Sequence, residues 1–212
     1  MLSQEAIAVL YNRLAAVYDI WARLTESKAL RRSLELADIE DGQRILEVAV
    51  GTGLAFREIV NRNPHGRNVG IDISEGMLEK ARQRLRTAGD VSYELSVAST
   101  FDIKEADKPF DMIMSSYMFD LLDEDDWSQA LKEFYRVLSV RGILLLVNMT
   151  IGERPGSGIY QGIFRLSPSL MGGCRGVRLS GAVENAGFTI KVREYVQQSL
   201  FPSEVILAIK TD

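Results

Sequence analysis

The chain has one cysteine, Cys174, and one histidine, His65, among 212 residues. A single thiol excludes an intramolecular disulfide and points to a reducing compartment, so the expected location is cytoplasmic. Cys174, in "GGCRG", also has no neighbouring ligand with which to build a metal or redox centre, and no metal is expected. Long apolar runs are missing: nowhere do 18 apolar residues follow one another, so no membrane-spanning helix is expected. The segment "MLSQEAIAVLYNRLAAVYDIW" lacks a charged lead, a pure apolar run and a small-residue cleavage site, and is expected not to act as a signal peptide. An excess of positive charge is missing too. The net charge is −4, which argues against a nucleic-acid partner. There is no internal repeat and no low-complexity segment.

What is present is 46% hydrophobic and 25% charged residues, enough for one compact domain over 1–212 with a sizeable core. Ile7, Leu10, Tyr11, Leu14, Val17, Tyr18, Trp21 and Leu24 recur at helical spacing and predict an N-terminal helical cap within residues 1–40. From Arg44 the period changes. "RILEVA", "NVGIDI", "VSYELSV", "FDMIMSS" and "GILLLVN" read as five strands, separated by helical stretches at 53–62, 74–89 and 123–139. An irregular, glycine-rich insertion covers 152–177. A short helix and two late strands, "TIKVREYV" and "SEVILAIK", follow. Alternating strands and helices predict an α/β fold: a Rossmann-like, seven-stranded, mainly parallel sheet with helices on both faces. The last two strands are joined too closely for a parallel return and predict an antiparallel closing strand.

Ligands of such sheets lie outside the carboxyl ends of the strands. Here those ends fall at Val48 to Gly53, Asp72 and Ile73, Ala98 to Phe101, Ser115 to Tyr117, and Asn148. In "ILEVAVGTGLAF", Gly51 and Gly53 permit a tight turn, and the next helix offers free N–H groups. Asp72 lies 19 residues beyond Gly53, where a carboxylate can accept both hydroxyls of a ribose. A dinucleotide fingerprint requires a third glycine; that position is Phe56 counting from Gly51 and Leu54 counting from Ala49. The pattern fails in both registers. A nucleoside without phosphates needs the carboxylate and the turn but no pyrophosphate seat.

"ILEVAVGTG", "GIDISEGMLEKAR" and "EFYRVLSVRGILLL", in this order, resemble the class I S-adenosylmethionine-dependent methyltransferases over roughly residues 43–150. Among these the chain is similar to bacterial phospholipid N-methyltransferases and quinone-biosynthesis C-methyltransferases. The resemblance implies S-adenosylmethionine as cofactor, with Glu47 near the methionine amino group. Ala49, Gly51 and Gly53 would form the turn against the cofactor. Asp72 would take the ribose hydroxyls, Ile73 and Met77 would flank the adenine, and Ser99 and Thr100 would meet its amino group. Ser115 would touch the cofactor, and Tyr18 would close over its methionine end. Three departures stand out: Ala49 for a first glycine, Ser99 for an acid, and Asp120 where relatives often carry histidine.

In-line attack on a sulfonium methyl is largely a matter of positioning. A general base is needed only if the nucleophile must lose a proton early. His65, in "NPHG", precedes the second strand at the amino edge, away from the expected site. The candidate bases are then Asp120, Tyr117 and Asp19, with Asp120 equally readable as a capping or solvated residue. Without a base, the acceptor must arrive nucleophilic, as an amine, a thiolate, a phenolate or a carbanion; the acceptor classes expected are an amine, a phenol or quinol, or a carbon nucleophile. Between Arg154 and Val183 there are four arginines (Arg154, Arg165, Arg175, Arg178), several apolar residues and no acid. A basic, greasy lid would suit an anionic or lipid-like acceptor and peripheral membrane contact; a packed surface loop explains the same residues. Tyr11, Asn148, Arg165 and Arg175 are the candidate acceptor contacts. Two alternatives remain open: a non-catalytic nucleoside-binding relative, and a nicotinamide-dependent oxidoreductase, which Phe56 disfavours.

Overall fold

In the computed structural model, residues 25–89, 91–104, 109–151, 175–198 and 201–211 are described. Helix α1 (Ser27–Leu36) leads into β1 (Arg44–Val48), α2 (Leu54–Arg62), β2 (Arg67–Asp72), α3 (Glu75–Leu85) and β3 (Tyr93–Val97). Then come β4 (Phe110–Ser116), α4 (Glu124–Val137), β5 (Leu138–Met149), α5 (Ser180–Asn185), β6 (Phe188–Gln198) and β7 (Phe201–Lys210). The strands form one sheet in the order β3-β2-β1-β4-β5-β7-β6. Neighbours from β3 to β5 are parallel; β7 runs antiparallel to both β5 and β6. The expected sheet, with its antiparallel closing strand, is therefore present. β7 inserts between β5 and β6, so β6 forms the edge.

Strand alternation sorts the core onto two faces. Ile45, Met112 and Met114 join the side chains of α1, α2 and α3 on one face. Leu46, Val48 and Ile113 join those of α4 and α5 on the other. The helices carry the matching stripes. In α4, Trp127, Ala130, Leu131, Phe134 and Val137 are buried at spacings of three and four. Its first turn holds Glu124, Asp125 and Asp126, and its last holds Arg136, both favourable to the helix dipole. In α3, Ser74 Oγ accepts the N–H of Met77 as an N-cap.

Phe56 explains how α2 lies against the sheet without the third glycine. It is fully buried and meets Tyr93 edge to face at 6.3 Å. The space it uses lies over Gly70 of β2, where a Cβ would approach Val50 Cγ2 to 2.7 Å and Phe56 Cζ to 3.2 Å. The small residue that permits close helix–sheet packing has thus moved from the helix to the neighbouring strand. A buried phenylalanine at such a place contributes about 1.5–3 kcal/mol by leaving water.

β5 departs from expectation. It begins at Leu138, directly after α4, rather than at Gly142. Arg141 takes a left-handed φ of 64°, and the β4–β5 register shifts between Phe110 and Met112. The irregularity absorbs the missing loop. No helix among the described residues is long and apolar enough to cross a membrane.

Candidate active site

Two cavities open at the carboxyl ends of β1, β2 and β4. The larger, about 740 Å³ with its open mouth, is lined by Asp72 and Ile73 after β2, Ala98 to Thr100 after β3, and Met118, Leu121 and Leu122 after β4. The smaller, about 350 Å³, is lined by Glu47 of β1, Glu26 and Leu30 at the start of α1, and the first residues of α2. Ala49, Gly51, Ser116 and Tyr117 form the wall they share.

The turn after β1 is built for close backbone approach. Ala49, Gly51 and Gly53 all have positive φ, at 63°, 57° and 79°. Ala49 and Val50 both donate their N–H groups to the Ile71 carbonyl, at 2.9 and 3.1 Å. A Cβ on Gly51 would meet nothing within 4 Å; one on Gly53 would stand 3.0 Å from Ala81 Cβ. Arg84 of α3 holds the turn from outside, its Nε donating to the Thr52 carbonyl at 2.8 Å. Ala49 thus sits where glycine is the easy choice, and its methyl group costs about 1–2 kcal/mol in the left-handed region.

Asp72 bridges the turn and the next helix. Its Oδ2 accepts the Gly51 N–H and its Oδ1 the Ser74 N–H, both at 2.8 Å. A carboxylate oxygen has two acceptor positions, so each can still receive a ligand hydroxyl. Burial pushes the Asp72 carboxyl up, against the backbone donors of Ser74, Gly51 and Ile73. Glu47 is only 2% exposed, and its Oε2 has no hydrogen-bond partner. Burial first, and then the nearby Asp72 charge, hold its carboxyl well above the usual range. A ligand cation in the smaller cavity would relieve both.

The other predicted residues divide clearly. Ile73, Ser99 and Thr100 line the larger cavity, and Thr100 Oγ1 has no partner. Ser99 Oγ accepts the Phe101 N–H at 3.2 Å, shaping the turn it belongs to. Met77 is buried in the first turn of α3 and lines neither cavity. Ser115 faces away and bonds Met118 Sδ at 3.8 Å. Its neighbour Ser116 lines both cavities, and Ser116 Oγ has no partner.

Two of the three candidate bases, Asp120 and Tyr117, fall within the described residues. Asp120 is completely buried outside both cavities. Its Oδ2 accepts the Met149 N–H at 3.1 Å and its carbonyl the Arg175 N–H at 3.3 Å, so it ties the β4 loop to β5. Tyr117 does form the shared wall, with a left-handed φ of 55°. Its hydroxyl, however, is 3.0 Å from Ser203 Oγ and donates to the Glu26 carbonyl at 3.4 Å, away from a base's task. His65 pairs with Asp41 at 2.6 Å at the amino edge, as expected from its position.

Arg175 also lies outside both cavities. Its guanidinium donates to the Leu122 carbonyl at 2.7 Å, covers the Trp127 ring at 5.4 Å and reaches Glu124 at 3.7 Å. It fastens the chain before α5 to the start of α4. Asn148 is buried opposite Glu204 of β7, and neither atom of its amide has a partner. Tyr11, Tyr18, Asp19, Trp21, Arg154, Arg165 and Cys174 lie outside the described residues. Ser116, Met118, Leu121, Leu122 and Glu26 were missed. The apolar "YMFDLL" after β4 carried a signal for the middle three; nothing in the sequence singled out Glu26.

A family model described as a methyltransferase domain matches residues 45–142, which include the described lining of the larger cavity and all of the smaller one's except Glu26 and Leu30. The ubiquinone/menaquinone biosynthesis C-methyltransferase UbiE of Haemophilus ducreyi is 31% identical over 163 residues, 69% of this chain and 58% of that protein. This chain therefore spans less than two thirds of that relative. Among solved structures, the [4+2]-cyclase SpnF superposes with a TM-score of 0.77 at 17% identity, over 99% of this chain and 97% of that one. The magnesium protoporphyrin IX methyltransferase of Synechocystis PCC 6803, solved with bound SAH, gives 0.67 at 13% identity, over 96% and 84%. At these identities the two structures show a shared fold.

Proposed function

We propose that the chain is a class I S-adenosylmethionine-dependent methyltransferase that moves a methyl group to a small-molecule or lipid-like acceptor. One observation carries this reading: two cavities share the β1 turn as a wall, with buried Asp72 lining the larger and buried Glu47 the smaller. Asp72 in the larger suits a ribose diol. Glu47 in the smaller suits an ammonium group. The apolar side chains of Ile73, Ala98, Leu121 and Leu122 suit an adenine ring between them. A pyrophosphate finds no cation among the described lining residues.

The bound cofactor supplies an electron-poor methyl carbon on a sulfonium. The chain's own residues bind and orient. The turn from Ala49 to Gly53 lets the ligand approach the backbone, Asp72 fixes the ribose, and Tyr117 separates the two halves of the site. Among the described lining residues only Glu26, Glu47, Asp72 and Tyr117 titrate. On this reading Asp72 and Glu47 serve the cofactor, while the Tyr117 hydroxyl is held by Ser203 and the Glu26 carbonyl. An acceptor that arrives already nucleophilic fits this lining, and catalysis is then in-line positioning. The relative named for quinone biosynthesis makes a quinol the first acceptor to try, reacting at carbon; a phospholipid amine is the second.

A second reading is a nucleoside-binding protein that does not transfer methyl groups, and the cyclase with the same fold shows that fold alone does not decide. Thermal-shift measurements with S-adenosylhomocysteine and NAD, followed by labelled-methyl transfer to quinol, phospholipid and amine mixtures, separate the readings. Stabilisation by S-adenosylhomocysteine and labelled product are expected. Stabilisation by NAD alone overturns the proposal, and binding without transfer to any acceptor favours the second reading.

A further inference from the structure

The Tyr117 hydroxyl is held by two elements that lie far from it in the chain. Tyr117 lines both cavities and is the single aromatic side chain among their described lining residues. Its φ of 55° is left-handed, a conformation that a bulky residue keeps only where its surroundings over-determine it. They do so from both ends. At the backbone, the Tyr117 N–H donates to the Val147 carbonyl of β5 at 2.7 Å. At the tip of the ring, the hydroxyl meets the Glu26 carbonyl at 3.4 Å and Ser203 Oγ at 3.0 Å. A carbonyl can only accept, so the phenol donates to Glu26 and its oxygen receives the Ser203 hydroxyl.

Ser203 reaches this place through the sheet topology. β7 runs antiparallel, so its first residues stand at the carboxyl end of the parallel strands. Ser203 lies there between Met149 of β5 and Val196 of β6, and is 1% exposed. On the reading above, Asp72 holds the ribose in the larger cavity and Glu47 the ammonium group in the smaller. The sulfur joins these two halves, so the cofactor crosses the shared wall beside Tyr117. The angle of that ring sets the passage between the halves. In-line transfer depends on placing the methyl carbon to within about 1 Å.

We propose that Ser203 is a positioning residue: acting through the Tyr117 hydroxyl, it fixes the wall between the two cavities and so the placement of the methionine half of the cofactor relative to the nucleoside half. The proposal rests on the cofactor assignment above.

Titration calorimetry of the full chain with S-adenosylhomocysteine and with adenosine tests it. Adenosine carries the base and the ribose but no methionine, so it fills the larger cavity without crossing the wall. Ser203→Ala is expected to weaken S-adenosylhomocysteine about five- to tenfold, the size of one net hydrogen bond, and to leave adenosine unchanged. The unchanged adenosine affinity also reports that the variant is folded. Tyr117→Phe removes the same bond from its other end and is expected to give the same split. The double variant is expected to be no weaker than Tyr117→Phe alone, because the shared bond is lost only once. Should Ser203→Ala fail to fold, Ser203→Cys keeps the shape with a weaker donor and is expected to give a split in the same direction. Equal weakening of both ligands, weakening of neither, or losses that add in the double variant overturn the positioning role and leave the cofactor assignment intact. Wild-type protein that binds S-adenosylhomocysteine but not adenosine overturns the inference alone, since the nucleoside half is then not seated independently. Wild-type protein that does not bind S-adenosylhomocysteine overturns the cofactor assignment and this inference together.

Discussion

Glu47→Gln separates a cofactor-binding carboxylate from a structural one. Glutamine keeps the shape of the side chain and removes its ionisation. The folded value of Glu47 lies above its ordinary value of 4.5, because of burial and then of Asp72. Between those two values the ligand-free native state holds a proton that the unfolded chain has released. The associated stability is fully present below the unfolded value and is lost as pH rises through the folded one. Glutamine removes that loss, so ligand-free Glu47→Gln should melt at or above the wild-type temperature near neutral pH. Binding should change in the opposite sense. A charge-assisted hydrogen bond to the ligand ammonium contributes about 1.5–3 kcal/mol, so affinity should fall about 10- to 150-fold. Wild-type affinity should also rise with pH through the raised value, as Glu47 ionises against the ammonium, and the variant should lose that rise. Differential scanning fluorimetry without ligand and titration calorimetry with S-adenosylhomocysteine read both effects. A variant that binds as tightly as wild type, or that loses stability and keeps affinity, refutes the reasoning.

Other residues give sharper local tests. Gly53→Ala places a Cβ 3.0 Å from Ala81 Cβ at a left-handed φ, and should cost about 1–3 kcal/mol, seen as a melting temperature lower by several degrees and weaker S-adenosylhomocysteine binding. Ala49→Gly relieves the left-handed methyl group but adds unfolded-chain entropy, so thermal melting should rise by no more than about 1 kcal/mol, with binding retained. Lys210→Met removes the ammonium that donates to the Tyr135 and Leu138 carbonyls at 2.6 and 2.7 Å; chemical denaturation should show a loss of about 1–2 kcal/mol, with cofactor affinity unchanged. Asp120→Asn keeps an acceptor for the Met149 N–H and should retain most turnover, whereas loss of turnover with intact folding would restore its role as a base.

The glycine turn and Asp72 were legible because both obey local rules: left-handed backbone favours glycine, and a fixed number of residues separates adjacent strand ends. The mainly parallel sheet followed from alternation of strand and helix, and its antiparallel end from the short final connection; the strand order, with β7 between β5 and β6, did not. Legibility ended where a residue's role depends on what folds over it. Asp120 has the spacing of an active-site residue, but the sequence does not show that β5 offers it the Met149 N–H. Ser115 and Ser116 differ only in strand parity, and one step decides which faces the cavity. Arg175 carried its charge plainly, while its partners, Leu122, Trp127 and Glu124, lie more than fifty residues away in the chain or close to it. Glu26 left no trace, since its place in the lining of the smaller cavity depends on how α1 docks over the end of β1. Phe56 was read correctly as excluding a dinucleotide, but the compensating Gly70 appears only once helix and sheet are packed.

The most direct test of the account is transfer itself. Wild-type protein incubated with S-adenosylmethionine labelled in the methyl group, together with a demethylated quinol or a phospholipid amine, should release labelled acceptor and S-adenosylhomocysteine in equal amounts. Glu47→Gln should lower that rate at limiting cofactor. Absence of labelled product from every acceptor, in protein that binds and is stabilised by S-adenosylmethionine, would contradict the assignment of this site to methyl transfer.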